Sequence, residues 1–289
     1  MKVSRLAPYI FVLLWSTGFV GAKYGLPYAD PFIFLALRLF IAALLLFAIA
    51  LLMKAPIALT RLQIKKSALI GIFLHAAYLG GVFFAISKGV SAGVAAVITS
   101  IQPVLVSLLA IKILNEKLRG RQILGLLLGL IGVVLVLGPS FENSVSRIGI
   151  FAVFIALMGS TTATLLQKKI GSGIPLLAGT AYQYLASGFV LSIAAVATGG
   201  THIQWSIKFA GAMLWLIFAL SVGAILLLLW LLNTASAASV SSLFYLVPPA
   251  TAVEAYFLFG EKLNTQGLLG IAVTALGVWL VIKTPNPGI

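Results

Sequence analysis

The chain has 289 residues, 62% of them hydrophobic and only 8% charged, with a mean hydropathy of +1.17. Soluble domains carry roughly 25% charged residues, so no soluble core could hide this much apolar surface and lipid must be the solvent for most of it. The absence of cysteine excludes disulfides and thiolate metal sites. The net charge of +14 comes from basic residues scattered among helix ends rather than gathered in a stripe, which excludes a nucleic-acid partner.

A helix needs about 20 mostly apolar residues to cross a hydrocarbon core, and the chain offers ten such runs. Met1-Lys2-Val3-Ser4-Arg5 leads into a run at about 7–25 without an Ala-x-Ala-like site at its end, so it reads as a membrane span rather than a cleaved signal. That span carries Trp15, Ser16 and Thr17. Gly25-Leu26-Pro27 and Asp30-Pro31 break it from the second, 31–53, in which Arg38 lies roughly 10 Å along the helix. The third, 67–87, places His75 near its middle and Tyr78 one turn on. The fourth, 91–113, contains the polar stretch Thr99-Ser100-Ile101-Gln102-Pro103, where a proline without an N–H favours a kink.

The fifth, 121–139, closes at Gly138-Pro139-Ser140, and the sixth, 147–167, carries Ser160, Thr161 and Thr164. After Gly171-Ser172-Gly173 the seventh, 174–198, sets Gln183 between Tyr182 and Tyr184. The eighth, 208–231, follows Gly199-Gly200, the outer-loop His202 and Trp205, and ends before Asn233. The ninth, 235–258, holds Tyr245, Pro248, Pro249 and Glu254, the one acid well inside a span, and the tenth covers 265–283. Unbroken apolar runs such as 123–137 and 214–232 exclude the alternating strands of a barrel. The expected fold is therefore an all-α integral membrane protein with ten transmembrane helices.

With a cytoplasmic N-terminus, 13 basic residues fall on the cytoplasmic side and 5 outside, so the positive-inside rule places both termini in the cytoplasm. An offset of 145 residues superposes the halves without a gap. It matches Ser91-Ala92 to Ser236-Ala237, Pro103 to Pro248, and Glu116-Lys117-Leu118 to Glu261-Lys262-Leu263. Two repeats follow, 1–145 and 146–289, each of five helices. An odd number of helices per repeat forces the second to enter the membrane inverted, the arrangement used by secondary transporters.

The segments Trp15-Ser16-Thr17-Gly18-Phe19-Val20-Gly21-Ala22-Lys23-Tyr24-Gly25, Phe34-Leu35-Ala36-Leu37-Arg38 and Ser100-Ile101-Gln102-Pro103, with the two Glu-Lys-Leu turns, resemble the drug/metabolite transporter superfamily. More narrowly, they resemble its EamA-type domain, present twice. The resemblance covers nearly the whole chain. It implies a central cavity lined by helices 3, 4, 8 and 9 and closed by helices 1 and 6, with helices 5 and 10 at the periphery.

The candidate substrate-binding residues are Trp15, Thr17, His75, Tyr78, Ser100, Gln102, Thr161, Gln183 and Tyr245. Aromatic faces suit an apolar or cationic substrate, and Gln102 and His75 can hydrogen-bond polar ends. Arg38 and Glu254 lie at matching depths, so an ion pair or proton-coupled switch between them is expected, intramembrane charges being functional by default. Pro103 and Pro248, related by the repeat, are candidate hinges. No cofactor, metal cluster, phosphate loop or enzyme chemistry is visible.

The expected function is secondary transport of small metabolites, as an exporter of amino acids or related compounds in a bacterial inner membrane. Lipid bilayer and a small-molecule substrate are the partners, with proton coupling as an option. Monomer and homodimer are equally compatible with the sequence. The rival readings are a multidrug exporter, an intramembrane lipid-acting enzyme using His75 and Glu254, and a passive channel.

Overall fold

A computed structural model of the protein describes residues 2–90, 95, 98–137, 146–259 and 265–283. The expectations resting on Ser91-Ala92, Gly138-Pro139-Ser140, Glu142 and Glu261-Lys262-Leu263 lie outside the described residues. The helical stretches are numbered here in chain order: α1 (Lys2–Gly25), α2 (Pro31–Leu52), α3 (Arg61–Ser87), α4 (Gln102–Ile113) and α5 (Gly120–Leu137). They continue with α6 (Arg147–Ile170), α7 (Leu176–Ala197), α8 (Ile207–Thr234), α9 (237–259) and α10 (Thr265–Ile282). Among the described residues, six of these are long and apolar enough to cross a membrane: α2, α3, α6, α7, α8 and α10. Shorter apolar stretches lie in α1 (Leu6–Gly18), α4 and α5 (Gly120–Val136).

Local chemistry sets the ends. Ser146 caps α6 and Ser206 caps α8, each hydroxyl accepting a backbone N–H three residues on. Pro31 sits in the first turn of α2, where its missing N–H costs nothing. Glycines with positive φ at Gly89, Gly173 and Gly199 turn the chain after α3, α6 and α7. Two starts depart most from expectation, the first being α4, which begins at Gln102 after a turn at Ser100–Ile101 and not at 91. α3 begins at Arg61, six residues before the apolar run, because Thr60 and Gln63 form a capping box and start the helix on polar residues.

Two helices change pitch in mid-course. α3 is π-helical over Ile72–Leu79, and α8 over Leu216–Ala224. The 145-residue offset carries one stretch onto the other, so the widened turns belong to the repeat. The prolines mark a second related pair. Ser100 and Ile101 form a turn just before α4, in which Pro103 is the second residue. In α9 a 3₁₀ stretch at Leu243–Leu246 precedes Val247–Phe259, in which Pro248 is again second.

The helices approach through small residues, as helices in lipid do. α5 and α10 make the most extensive pairing, and a Cβ on Gly277 would fall 2.5 Å from the Gly129 nitrogen and 2.6 Å from the Gly125 carbonyl oxygen. α3 lies against α6 and α7 in the same way: a Cβ on Gly81 would reach 2.6 Å from the Ala152 carbonyl, and one on Gly71 2.5 Å from that of Gln183. Apolar side chains such as Leu13, Leu44, Phe151, Ile193 and Phe257 point outward, a surface suited to acyl chains.

The connections gather at two ends. At one, Ala29 bridges Ile203, Asp30 N–H donates to the His202 carbonyl (3.1 Å) and His202 N–H to Asp30 Oδ2 (2.9 Å). At the other end of α8, Glu116 Oε1 accepts from Ala237 N–H (2.8 Å), at the start of α9. Lys168 Nζ donates there to the carbonyls of Leu232 (3.0 Å) and Ala235 (2.6 Å). An anion thus faces a helix N-terminus and a cation a helix C-terminus, both favoured by the helix dipole.

Candidate functional site

Where α1, α3, α4, α6 and α9 converge, a buried cavity is walled by Trp15, Tyr78, Gln102, Ser160, Thr164 and Phe244. Leu74, Thr99, Ser100, Val247 and Pro248 complete its lining. One wall is aromatic. Trp15 stacks on Tyr78 (centroids 6.4 Å apart, planes 9° apart) and meets Phe244 edge-on at 5.2 Å, while Phe11 packs behind both Trp15 and Phe244. The opposite wall is polar. Gln102 Nε2 donates to Thr164 Oγ1 (3.2 Å), which donates in turn to the Ser160 carbonyl (2.9 Å). Gln102 Oε1 is buried without a hydrogen-bond partner among the described residues.

A second cavity lies on the other side of the Trp15–Tyr78 pair, where α8 replaces α9 as the wall. Arg38, Val82, Phe83, Leu220 and Ile225 line it together with those two rings. Arg38 is only 4% exposed, and its Nε donates to Ser221 Oγ at 2.9 Å, within the π-helical stretch of α8. The Tyr184 hydroxyl donates to the Ser221 carbonyl, which ties α7 into the same group.

Of the residues singled out in the sequence, Trp15, Tyr78, Ser100, Gln102 and Pro248 converge on the first cavity, and Arg38 on the second. Five cavity expectations place their side chains elsewhere. His75 packs edge-on against Tyr184 (4.8 Å), and neither ring nitrogen has a hydrogen-bond partner among the described residues. Leu74 and Tyr78, four residues apart, share the cavity face, while His75, within the wider π-helical turn, faces α7. Gln183 bonds Gln167 (Nε2 to Oε1, 3.3 Å) between α7 and α6. Thr161 donates to the Leu157 carbonyl, and Thr17 accepts from Trp215 Nε1 (3.0 Å) at the α1–α8 contact. Tyr245 faces α5, its ring filling the place a Cβ on Gly129 would take.

The neighbouring Phe244 lines the cavity instead. Counting back from Pro248 by one helical turn would have selected it, since Phe244, Val247 and Pro248 share a face. Leu74 and Val247 carry no polar signal and were not expected.

The expected Arg38–Glu254 ion pair does not form. Glu254 Oε1 accepts from Ser16 Oγ, which joins α9 to α1, and Thr251 Oγ1 lies 3.5 Å from the Ser16 carbonyl. Arg38 is committed to Ser221 on α8, so equal depth along two helices did not translate into contact across the bundle. His75 and Glu254 likewise have different neighbours, on α7 and α1, and are not assembled as an acid–base pair.

The sequence family described as the EamA-like transporter family matches residues 6–138 and again residues 147–283. The chain is 26% identical over 217 residues to the uncharacterized transporter YvbV of Bacillus subtilis (strain 168), a match covering 73% of this chain and 70% of that one. It is 25% identical over 166 residues to a probable amino-acid metabolite efflux pump of Escherichia coli (strain K12), covering 56% of this chain and 52% of that protein. A solved crystal structure superposes over 96% of both chains with a TM-score of 0.81 at 16% identity, a likeness of fold alone.

Proposed function

Because the chain belongs to the EamA-like transporter family, we propose that this multi-pass membrane protein moves small metabolites, amino acids or related compounds, outward by alternating access across a bacterial inner membrane. The observation that carries this reading is the composition of the central cavity. Its walls come from both halves, α1, α3 and α4 on one side and α6 and α9 on the other, so a relative movement of the halves would open it. Aromatic rings on one wall and a hydrogen-bonding glutamine on the other are the lining expected for a small amphipathic substrate. The Escherichia coli relative is named for amino-acid metabolites, which favours that substrate class.

In this reading the chain crosses the membrane ten times with both termini in the cytoplasm, as inverted halves 1–145 and 146–289. The contacts between connections support it. Asp30 with His202, Gln63 with Gly173, and Glu116 with Ala237 each join loops that a ten-span topology puts on the same side. The prolines and π-helical turns recurring at an offset of 145 support the two halves. Glu254, whose Oε2 is buried without a partner among the described residues, is the group proposed to couple transport to protons.

Purified protein in proteoliposomes, offered a panel of labelled amino acids with and without a pH gradient, tests the assignment. Saturable uptake of at least one member, accelerated by the gradient, is the expected result. If no amino acid or related metabolite moved while lipophilic cations did, the multidrug reading would replace it.

A further inference from the structure

We infer that Arg38 is the substrate's carboxylate-binding group, and that the transported compounds are small organic acids with an apolar or aromatic body. The inference rests on the transport reading and narrows it. Arg38 lies in the second cavity, 4% exposed, and it is that cavity's one charged group among the described residues. Among the described residues its guanidinium meets no carboxylate, and Nε is its only nitrogen with a hydrogen-bond acceptor. The acids placed by the structure are engaged elsewhere: Asp30 with His202, Glu116 with the start of α9, and Glu254 with Ser16.

A guanidinium does not shed its proton, and an uncompensated charge in the interior is costly. Structures retain such a group where a ligand supplies the missing charge. A carboxylate matches its planar fork with two parallel hydrogen bonds.

The surroundings define the rest of the ligand. Ser221 accepts from Nε on one edge of the guanidinium and leaves the terminal nitrogens for a ligand. Ser221 is itself held by Tyr184 from α7. Around the guanidinium, Val82, Phe83, Leu220 and the faces of Trp15 and Tyr78 form an apolar chamber, which disfavours polyanions and sugars. Gly18 belongs to the same chamber, and a Cβ there would sit 3.3 Å from Leu220, so the space is kept by the absence of a side chain. Trp15 and Tyr78 border both cavities, so the ring pair is placed to sense occupancy on either side. The device was half visible in the sequence: Arg38 was conspicuous, and its carboxylate partner was sought inside the chain.

The test compares acids with a carboxamide on wild-type protein. L-phenylalanine and 3-phenylpropionate share a phenylpropyl body and a carboxylate, and L-phenylalaninamide keeps the body and the amine of the first with a carboxamide in place of the carboxylate. In detergent, thermal stabilisation by the two acids and none by the amide is expected, and in proteoliposomes the amide should fail to compete for uptake. Arg38→Gln should raise the half-saturating concentration of the acids at least about tenfold and abolish the discrimination, while Arg38→Lys should retain part of it.

The amide acting as well as the acids on the wild type, or Arg38→Gln discriminating as before, would overturn the inference. So would a lack of stabilisation by both acids. If Arg38→Gln does not fold, the wild-type acid–amide comparison and Arg38→Lys decide alone. Uptake of metabolites without preference for a carboxylate would end this inference and leave the transport reading standing. Absence of any metabolite uptake would end that reading, and acid-selective stabilisation would still report on Arg38.

Discussion

The α5–α10 seam and the central cavity both join the first half of the chain to the second, and they are built in opposite ways. Along the seam, Gly125, Gly129 and Gly132 face Gly270 and Gly277, backbone against backbone. The buried hydroxyl of Thr274 is satisfied within its own helix by the Gly270 carbonyl (2.8 Å), while that of Tyr245, packed against Gly129, has no partner among the described residues. Around the cavity the halves meet through side chains, Trp15 against Phe244 and Gln102 against Thr164, and Gln102 Oε1 has no partner among the described residues. Lipid supplies no hydrophobic drive for helices to associate. Close backbone contact therefore holds the halves at the seam, and side chains that can change rotamer hold them around the cavity, where the proposed function has a substrate pass.

The largest effect should come from breaking the seam. A side chain at Gly277 would collide with the backbone of Gly125 and Gly129, which cannot turn aside as a rotamer can. Gly277→Leu should lower the thermal midpoint of the detergent-solubilised protein by roughly 5–10 °C, the scale of an overpacked core in a chain of this size. Gly211→Leu, where a Cβ meets nothing within 4 Å, is the control and should stay near the wild type. Equal losses from the two would show that the seam is no more constrained than an open helix face.

A smaller effect is expected where the halves touch through charge. Glu116 of the first half caps α9 of the second, accepting from Ala237 N–H at 2.8 Å. Glu116→Ala removes the acceptor for an orphan N–H and the charge complementing the helix dipole, together about 1 kcal/mol. The thermal midpoint should drop by roughly 2–4 °C. Glu116→Gln keeps an acceptor and loses the charge, so it should recover part of the loss. If alanine and glutamine were equally harmful, the charge rather than the hydrogen bond would be what matters.

The positions of the helices were more legible in the sequence than the rotations that shape the cavity, for a physical reason. Apolar run length and the 145-residue offset are properties of the chain alone, and apart from the starts of α1, α3 and α4 the runs located the helix ends to within a few residues. The cavity depends on helix rotation. In α3 His75 faces α7 from within a π-helical turn, and in α9 Phe244, one turn before Pro248, takes the cavity face from a 3₁₀ stretch while Tyr245 faces α5. Neither pitch change leaves a trace in hydropathy, although both recur with, or beside, features of the repeat. Arg38 is buried and Glu254 half-buried, but whether the two meet depends on which helices are neighbours.

The smallest effect, and the one that most sharpens the contrast, concerns the two prolines. Pro103 and Pro248 each occupy the second position of a helical segment, where no helical N–H bond is lost, so neither is a source of instability. What each does is end the preceding helical geometry: a turn at Ser100–Ile101 in one half, the 3₁₀ stretch Leu243–Leu246 in the other. Pro103→Ala and Pro248→Ala would let a continuous α-helix compete with those breaks without disturbing the folded seam. Expression and thermal midpoint should match the wild type, while proteoliposome transport slows by roughly two- to tenfold, no more than about 1.4 kcal/mol of added barrier. Wild-type rates in both variants would remove the hinge role from the prolines and leave the breaks as packing features. A change in stability instead of rate would mean that α4 and α9 belong with the fixed scaffold, and that movement between the halves is carried by the α3 and α8 turns.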